Sequence, residues 1–350
     1  MKKIFLRLAV ILFWVGIISF VLYFPKWRWS TFDRNQINVF AWGDILEPSV
    51  IADFEKETGI KVRLNYYSSN EELLVKIKAT KGEGYDLIIP SDYAVNALRE
   101  EGLLQELKRE ELPFWNKINP LLLNHTYDIE NRYSIPFSWE IFLLGINRSY
   151  FPRLPDPSWK LVFDKESIHY RIAMVNDPRD ALQMGSFYLF GLYQNLSKNQ
   201  LDRVQNLLIE QKEWVEAYAS FRADYFLATK NCPVVVASSS YIIRAMRKYP
   251  FVGYLIPKEG TFLTIENFAI PKASKKEALT YKLIRYLFQE ESVQKHYETF
   301  GFFPSALPTD TELLIPVGKE EFKKFHFIGQ VCTEQQRDHI WVEVKSGYSK

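Results

Sequence analysis

Short apolar runs alternate with helical patterns of apolar residues in the first third of the chain. Residues 38–42, 60–66 and 86–89 are rich in β-branched and aromatic side chains, which is typical of strands. Pro48 stands in the first turn of the helix between the first two runs, and Gly59 follows its last turn. Strands and helices in this alternating order predict a parallel sheet with right-handed crossovers.

The second helix of this region has a start signal of its own. Ser69 and Glu72 have the spacing of a capping box, in which each side chain accepts a hydrogen bond from a backbone amide of the other residue. Leu73, Leu74 and Ile77 follow at helical spacing and predict one buried face. A helix is therefore expected directly after Ser69.

The rest of the chain continues as a mixture of strands and helices. Strands are predicted over residues 141–147, 171–175, 233–237, 251–255 and 266–270. Helices are predicted over residues 178–194, 201–219, 275–288 and 291–300, and through Tyr241 and Ile242. An extended run at residues 133–140, which contains Pro136, predicts a strand that crosses from one part of the molecule to another.

Candidate binding residues follow two strands of the predicted parallel sheet. Trp42 ends the first strand, while Ser91, Asp92 and Tyr93 follow the third strand. Ligands of such sheets bind beyond the carboxyl ends of the strands, so the two aromatic rings would flank one crevice. Taken singly, each residue has a simpler interpretation, since Trp42 could be a core residue and Asp92 could cap the next helix.

Six sequence blocks, in order along the chain, carry a family resemblance. They are DFEKETGIKV, YYSSNEELLVKIKA, YDLIIPSDYAV, REEGLLQELKREEL, LLNHTYDIENRYSIPFSWEIFLLGIN and KEGTFLTIENFAIPKA. Their order and spacing resemble those of bacterial spermidine/putrescine-binding periplasmic proteins, the solute receptors of polyamine ABC transporters. The resemblance covers most of the chain after residue 37. It implies an α/β, bilobal periplasmic-binding-protein fold (type II-like), with two α/β lobes joined by crossing strands and a ligand cleft between them.

The same resemblance gives the expected domain organisation. Residues 33–140 together with residues 262–307 are expected to form lobe 1. Residues 141–261 together with residues 308–350 are expected to form lobe 2. Residues 1–30 precede both lobes and are expected to be a signal peptide or an N-terminal membrane anchor.

The N-terminal segment predicts export. Lys2, Lys3 and Arg7 form a positive start, and residues 8–24 are a run of 17 residues without charge. The run is long for a signal peptide and short for a comfortable membrane span, and no small-x-small cleavage site follows it. The expected location is the periplasm, and both cleavage and retention as an inner-membrane anchor stay open.

An acidic cluster at residues 177–180 is the most informative sequence feature for ligand chemistry. Asp177 follows a predicted strand, Pro178 would occupy the first helical position, and Asp180 the third. Such carboxylates can simply satisfy the free amides of a helix start. The resemblance places Asp177 and Asp180 at two acidic positions that hold ligand amines in the family, which would make this end of the helix favour a cation.

The resemblance also supplies the other site residues. Glu266 falls at a third acidic position, near the start of an apolar strand. Either it lies on a solvated loop, or it is buried and needs a charged partner, because burying an unpaired carboxylate is costly. Trp42, Ser91 and Tyr93 match ligand positions of the family. A diammonium ligand that spans Glu266 and the Asp177–Asp180 pair would close the two lobes. No metal site and no cofactor are expected.

Part of the aromatic box that the family uses is missing. Three expected ring positions carry Ile45, Val236 and Thr264. Rings that could replace them are Trp139, Tyr241 or Phe262. Gln330 is a weak counterpart of a tail glutamine that contacts ligand in the family. Recognition of charge is therefore expected to survive better than recognition of the aliphatic chain.

Composition excludes several other classes of function. The chain has 44 Lys and Arg against 42 Asp and Glu, so it lacks the broad positive charge of a nucleic-acid-binding protein. The sequence contains neither a phosphate-binding glycine loop nor a zinc-protease motif. If the role is transport with an ABC transporter permease, ATP hydrolysis would belong to a partner protein. Cys232 and Cys332 have no metal spacing, and either a disulfide or two buried thiols would fit.

Three other functions stay open from the sequence. A receptor of the same fold could bind another solute, such as an amino acid derivative or a metal, because the aromatic box is incomplete. An envelope enzyme with Asp177 or Glu266 as general base would need a nucleophile–base motif, which the sequence lacks. A signalling or structural module that has lost its ligand is disfavoured by the three acidic positions.

Overall fold

The structure is a computed structural model. It describes residues 12–19, 35–191, 194–219, 223–306 and 312–346. Residues 12–19 form a helix with exposed side chains, and the remainder of the predicted export segment lies outside the described residues. Within the described ranges, no helix is both long enough and apolar enough to span a membrane.

The strands and helices alternate along the chain. The strands are β1 (Gln36–Trp42), β2 (Lys61–Tyr67), β3 (Leu87–Ile88), β4 (Ser134–Asn147), β5 (Ile172–Met174), β6 (Val215–Tyr218), β7 (Val234–Ser238), β8 (Val252–Leu255), β9 (Thr261–Ala269), β10 (Phe303–Pro304) and β11 (Phe325–Phe327). The helices are α1 (Pro48–Thr58), α2 (Asn70–Thr80), α3 (Asp92–Glu100), α4 (Lys160–Phe163), α5 (Pro178–Phe190), α6 (Lys198–Gln211), α7 (Ala223–Ala228), α8 (Ser239–Lys248), α9 (Glu277–Leu287), α10 (Glu290–Phe300), α11 (Lys319–Phe322) and α12 (Glu334–Ser346). Short 3-10 turns lie at Arg109–Glu111, Trp115–Lys117, Pro120–Leu122 and Ile129–Asn131.

All of these strands belong to one hydrogen-bonded sheet. The order along it is β2-β1-β3-β9-β4-β7-β5-β6, while β8 and β10 pair with β4 and β11 pairs with β9. The pairs β1–β2 and β1–β3 are parallel, which confirms the predicted parallel sheet in the first third of the chain. A second parallel group is formed by β5 with β6 and β7.

Strand β4 connects the two halves of the molecule. Its residues 134–141 pair with β9, and its residues 142–146 pair with β7. The predicted crossing run at residues 133–140 and the predicted strand at 141–147 therefore form a single strand. Almost all of β4 is buried, which explains why most of its residues are apolar. The bilobal α/β fold is confirmed, and the exact lobe boundaries stay a prediction.

The start of α1 follows the expected chemistry. The Glu47 carboxylate accepts a hydrogen bond from the Val50 amide at 3.0 Å, so it caps the helix ahead of Pro48. Gly59 ends the helix in the left-handed conformation at φ 68°, which glycine adopts without strain.

The capping box of α2 forms only in part. The Ser69 hydroxyl accepts a hydrogen bond from the Glu72 amide at 3.2 Å, as predicted. The Glu72 carboxylate instead accepts hydrogen bonds from the amide and hydroxyl of Ser68, both at 2.9 Å. The predicted start of the helix is therefore correct, but the Glu72 carboxylate accepts from Ser68 and not from the Ser69 amide.

The predicted helix over residues 201–219 is wrong in its second half. Helix α6 ends at Gln211, where the buried stripe that contains Leu201, Val204 and Leu208 stops. Residues Val215–Tyr218 form β6, which extends the sheet beside β5. Pairing with an existing sheet edge decides the conformation here, and the local sequence pattern does not contain that information.

The C-terminal part of the chain, for which a return to lobe 2 is predicted, contacts β9 and two helices of the β5–β7 half. Strand β11 pairs with residues 261–263 of β9, and α12 packs against α5 and α6. Cys232 is buried, Cys332 is partly buried, and the two thiols are unpaired.

Candidate functional site

A cavity of about 580 Å³ lies between the two halves of the molecule, and we call it the cleft. Its first wall is formed by the ends of β1 and β3, the starts of α2 and α3, and β9. Its second wall is formed by the start of α5 and the junction of β7 and α8, with β4 as the floor. All six predicted site residues line it: Trp42, Ser91, Tyr93, Asp177, Asp180 and Glu266.

The first wall holds Glu266 by two hydrogen bonds from neighbouring elements. Trp42 Nε1 donates to Oε2 at 2.9 Å, and Ser91 Oγ donates to Oε1 at 2.5 Å. The Asn70 side chain donates in turn to Ser91 Oγ at 2.8 Å. The carboxylate is therefore oriented by the protein before any ligand arrives.

The electrostatics of Glu266 are dominated by burial. Removal from water raises the pKa of its carboxyl group to about 8. The hydrogen bonds from Ser91 and Trp42 act in the opposite direction, and the nearby acids Asp92 and Glu140 raise the pKa further. A positive ligand group would compensate for this burial by stabilising the ionised form.

Asp92 is hydrogen-bonded to β9, the strand that contains Glu266. Its buried carboxylate accepts a hydrogen bond from the Ile265 amide at 3.0 Å. Burial raises the pKa of Asp92 to about 6, although three backbone amides lower it. Its contact with β9, one residue before Glu266, holds the end of the first wall in place.

The second wall presents two carboxylates with different surroundings. Asp177 caps α5, because its Oδ1 accepts hydrogen bonds from the amides of Arg179 at 2.8 Å and Asp180 at 3.3 Å. The Asp180 carboxylate accepts no hydrogen bond from the part of the chain that the structure describes. Burial, and next the charge of Asp177, raise the pKa of Asp180 well above its usual value, although part of its side chain still faces the open cleft.

Tyr93 contacts charged groups from both walls. Its hydroxyl donates to Glu71 Oε1 at 3.1 Å on the first wall. The guanidinium of Arg179, on the second wall, lies over the Tyr93 ring at 4.0 Å and donates to the same Glu71 oxygen at 3.0 Å. The two walls are therefore joined by the chain's own charges.

The ring positions differ in part from the sequence expectation. Ile45 and Thr264 line the cleft, but Val236 does not, because it is fully buried in the hydrophobic core. Side chains alternate across a strand, so its neighbour Ala237 faces the cleft instead.

Of the three rings considered as replacements, only Tyr241 lines the cleft. Trp139 and Phe262 are buried in the core. Further rings on the lining are Phe142, Phe300 and Phe302. Gln330 is exposed and is not part of the lining, whereas Ile328 is.

Comparison with known proteins gives the family. A profile of the family named bacterial extracellular solute-binding protein matches residues 49–310. The chain belongs to this family. Its fold and its solute-binding character agree with the expectation drawn from the sequence, and the family is one of binding proteins.

Individual relatives of this solute-binding protein have polyamines in their names. It is 28% identical over 275 residues to the spermidine/putrescine-binding periplasmic protein of Escherichia coli, covering 77% of each chain. It is 27% identical over 343 residues to the putrescine-binding periplasmic protein SpuD of Pseudomonas aeruginosa, covering 90% of this chain and 93% of SpuD.

Solved structures agree on the fold. The spermidine/putrescine transporter substrate-binding protein PotD of Streptococcus pneumoniae matches with a TM-score of 0.73. The match covers 89% of this chain and 99% of PotD at 23% identity.

Sequence reasoning missed several charged residues of the cleft. They are Asp44, Glu71, Glu140, Arg179 and Arg244. Glu140 interrupts the apolar sequence of β4, and this interruption is a signal that could have identified it. Arg179 lies between the two acids that were identified. For Glu71 and Arg244, the linear pattern contains no comparable signal.

Glu140 and Arg244 lie close together at the floor of the cleft. Glu140 Oε1 accepts a hydrogen bond from the Ser240 amide at 3.2 Å, and burial raises its pKa. The Arg244 guanidinium lies over the Tyr241 ring at 4.4 Å. Its Nε is buried and has no hydrogen-bond partner among the residues that the structure describes.

The charge of the cleft favours a positively charged ligand. Six carboxylates line it against two guanidinium groups, and one of the guanidinium groups is already paired with Glu71. In the described ranges, no group of three or more His, Cys, Asp or Glu residues is arranged to hold a metal ion.

Proposed function

We propose that this chain is an exported substrate-binding protein that captures a polyamine between its two lobes and delivers it to an ABC transporter permease. The ligand class is a spermidine- or putrescine-like organic cation. The observation that carries the proposal is the pair of carboxylates on opposite walls of one cleft, Glu266 on the first wall and Asp180 on the second. A diammonium ligand has one charge for each.

The chemistry of the remaining lining fits the same ligand. The methylenes of a polyamine need apolar faces, which Ile45 and Phe142 offer, and its ammonium groups are attracted to aromatic rings. Tyr241, Phe300 and Phe302 supply such rings on the lining of the cleft. The polyamine names of the relatives support this choice of ligand.

The proposal includes location and partners. We place the lobe boundaries at 140/141, 261/262 and 307/308. The first lies next to the residues where β4 changes its pairing partner from β9 to β7, and the last lies outside the described residues. The periplasmic relatives support a periplasmic location, and residues 8–24 would direct export and either be removed or remain as an anchor. ATP hydrolysis would belong to the transporter, and the family of binding proteins supports a role without catalysis.

A second candidate ligand is an amino acid derivative, and one observation favours it. Arg244 faces the cleft without an ion pair among the described residues, and its buried Nε lacks a hydrogen-bond partner. A ligand carboxylate would satisfy this group, since guanidinium and carboxylate form strong paired hydrogen bonds. The ligand's ammonium group would then contact the same acidic residues.

A thermal-shift and calorimetric screen distinguishes the two. The purified protein is titrated with putrescine, cadaverine, spermidine and spermine, and separately with ornithine and γ-aminobutyrate. A ligand at 100 times its dissociation constant stabilises the fold by about 2.7 kcal/mol, which gives a clear shift of the melting temperature. We expect shifts with diamines. A shift with the amino acids and none with any polyamine would contradict the proposal.

A further inference from the structure

The contact between Arg179 and the first wall has the geometry of a bound cation. Arg179 belongs to the first turn of α5 on the second wall. Its guanidinium lies 4.0 Å from the centre of the Tyr93 ring and donates to Glu71 at 3.0 Å. Only 22% of its side chain is exposed. An aromatic face together with a carboxylate is the environment expected for a ligand ammonium group, and here a side chain of the protein occupies it.

Because Arg179 contacts Glu71 and Tyr93, fewer groups of the cleft are available to a ligand. The carboxylate of Glu71 is neutralised, and the face of Tyr93 is covered. Among the described residues, the acidic side chains that line the cleft without an ion pair include Asp180, Glu140 and Glu266. These three can hold a short cation. A longer cation that reaches towards Tyr93 would bring an ammonium group against the guanidinium, and like charges repel.

We infer that Arg179 determines specificity by acting as an internal cation, which closes the Tyr93 end of the cleft and restricts the ligand to short cations. This inference rests on the proposed function. It assigns putrescine-length diamines, rather than spermidine or spermine, as the preferred ligands. Under this inference, repulsion from Arg179 provides discrimination by length, in place of the incomplete aromatic box.

A purely structural role of Arg179 makes a different prediction. If Arg179 only joins the walls, its removal weakens the binding of every ligand by a similar factor, because closure becomes less favourable for all of them. If it blocks one end of the cleft, its removal changes the ratio of affinities between long and short polyamines. The ratio therefore separates the two roles.

The test is calorimetric titration of the full chain with putrescine, spermidine and spermine, using the parent and Arg179→Gln. We expect the parent to bind putrescine more tightly than spermine. In Arg179→Gln, the affinity for spermine relative to putrescine should rise roughly two- to thirty-fold, the range for one cation–π contact. Arg179→Lys keeps the charge and should stay near the parental ratio. Should the Gln variant fail to fold, Arg179→Met retains the side-chain length without the charge.

Arg247→Gln is the matched control. Arg247 also lies over a tyrosine, at 4.7 Å from the Tyr297 ring, but it is not part of the cleft lining. Its removal should leave the affinity ratio unchanged. An unchanged ratio in Arg179→Gln, with polyamines still bound, would overturn the inference and leave the proposed function standing. Absence of polyamine binding in the parent itself would instead overturn the proposed function.

Discussion

The two walls of the cleft present a carboxylate in contrasting ways. On the first wall, Glu266 is held by hydrogen bonds from Trp42 and Ser91. On the second wall, the Asp180 carboxylate has no hydrogen-bond donor within the described part of the chain, and the charge of Asp177 lies close by. One acid is oriented in advance, whereas the other is left for a ligand to satisfy.

This difference suggests an order of importance for binding. A group that is already oriented loses little conformational freedom when the ligand arrives, so more of its interaction energy appears as affinity. A group that is buried without a partner is destabilising until a cation reaches it. We therefore predict that the first wall provides most of the affinity and that the second wall favours closure on the ligand.

The largest effect is expected from removing the charge on either wall. Glu266→Gln should weaken putrescine binding by about 10- to 150-fold, since a charge-assisted hydrogen bond contributes roughly 1.5–3 kcal/mol. Asp180→Asn should also weaken it, because the variant removes the charge that would pair with the second ammonium group of the ligand. Calorimetric titration measures both. Equal affinities of the parent and Glu266→Gln would show that the first wall does not hold the ligand.

The pH dependence is the next largest effect. Burial raises the pKa of Glu266 to about 8 from an ordinary value of 4.5, with Asp92 and Glu140 acting in the same direction and the donors Trp42 and Ser91 acting against it. Between these two pH values the folded protein holds a proton that the unfolded chain has released. The free energy of unfolding should therefore fall as pH rises from about 4.5 to about 8.

Urea unfolding of the empty protein at a series of pH values measures this slope. Glu266→Gln should make the slope shallower without abolishing it, because the Glu266 proton is gone while Asp92, Glu140 and Asp180 still have raised pKa values. In the parent, affinity for putrescine should rise across the same pH range, and binding at pH 7 should release protons. Titrations in buffers of different ionisation enthalpy detect that release, and stability that increases with pH would contradict the account.

Asp177 should matter more for stability than for binding. Its side chain caps α5, and loss of an N-cap costs about 0.5–2 kcal/mol. Asp177→Ala should lower the free energy of unfolding by that amount, whereas Asp177→Asn, which keeps a capping oxygen, should lower it less. Chemical denaturation gives both values. A loss of putrescine affinity as large as that of Glu266→Gln would instead place Asp177 in direct contact with the ligand.

The smallest effect is expected at Trp42. Trp42→Phe keeps an aromatic ring but removes the Nε1 donor to Glu266, and one net hydrogen bond contributes about 0.5–1.5 kcal/mol. Putrescine affinity should fall roughly two- to thirteen-fold. Phe40→Leu changes a core ring that does not line the cleft, so it is the control for an indirect loss of affinity through weaker core packing. A larger loss in the control than in Trp42→Phe would assign the effect to packing.

Local pattern was sufficient for much of the fold. The start of α1 at Pro48, its end at Gly59 and the parallel pairing of the first three strands all follow from capping chemistry and strand propensity. The pattern failed at Val215–Tyr218, because pairing with β5 decides that conformation.

The same limit applies to the site. The six residues expected to bind ligand all line one cleft. Val236, one of the expected ring positions, lies in the core, and its neighbour Ala237 faces the cleft, because successive residues of a strand face opposite sides. Arg179 lies between Asp177 and Asp180 in the sequence. Its pairing with Glu71 joins residues 108 positions apart, and no local pattern could predict that contact.

The most direct test of the central claim compares putrescine with butylamine, which has a similar carbon chain but a single ammonium group. If carboxylates on both walls hold one diammonium ligand, the parent should bind putrescine about 10- to 150-fold more tightly than butylamine. Glu266→Gln or Asp180→Asn should each remove most of that preference. Equal affinity of the parent for the two amines, measured by calorimetry at the same pH, would contradict the claim that the cleft captures a diamine between its walls.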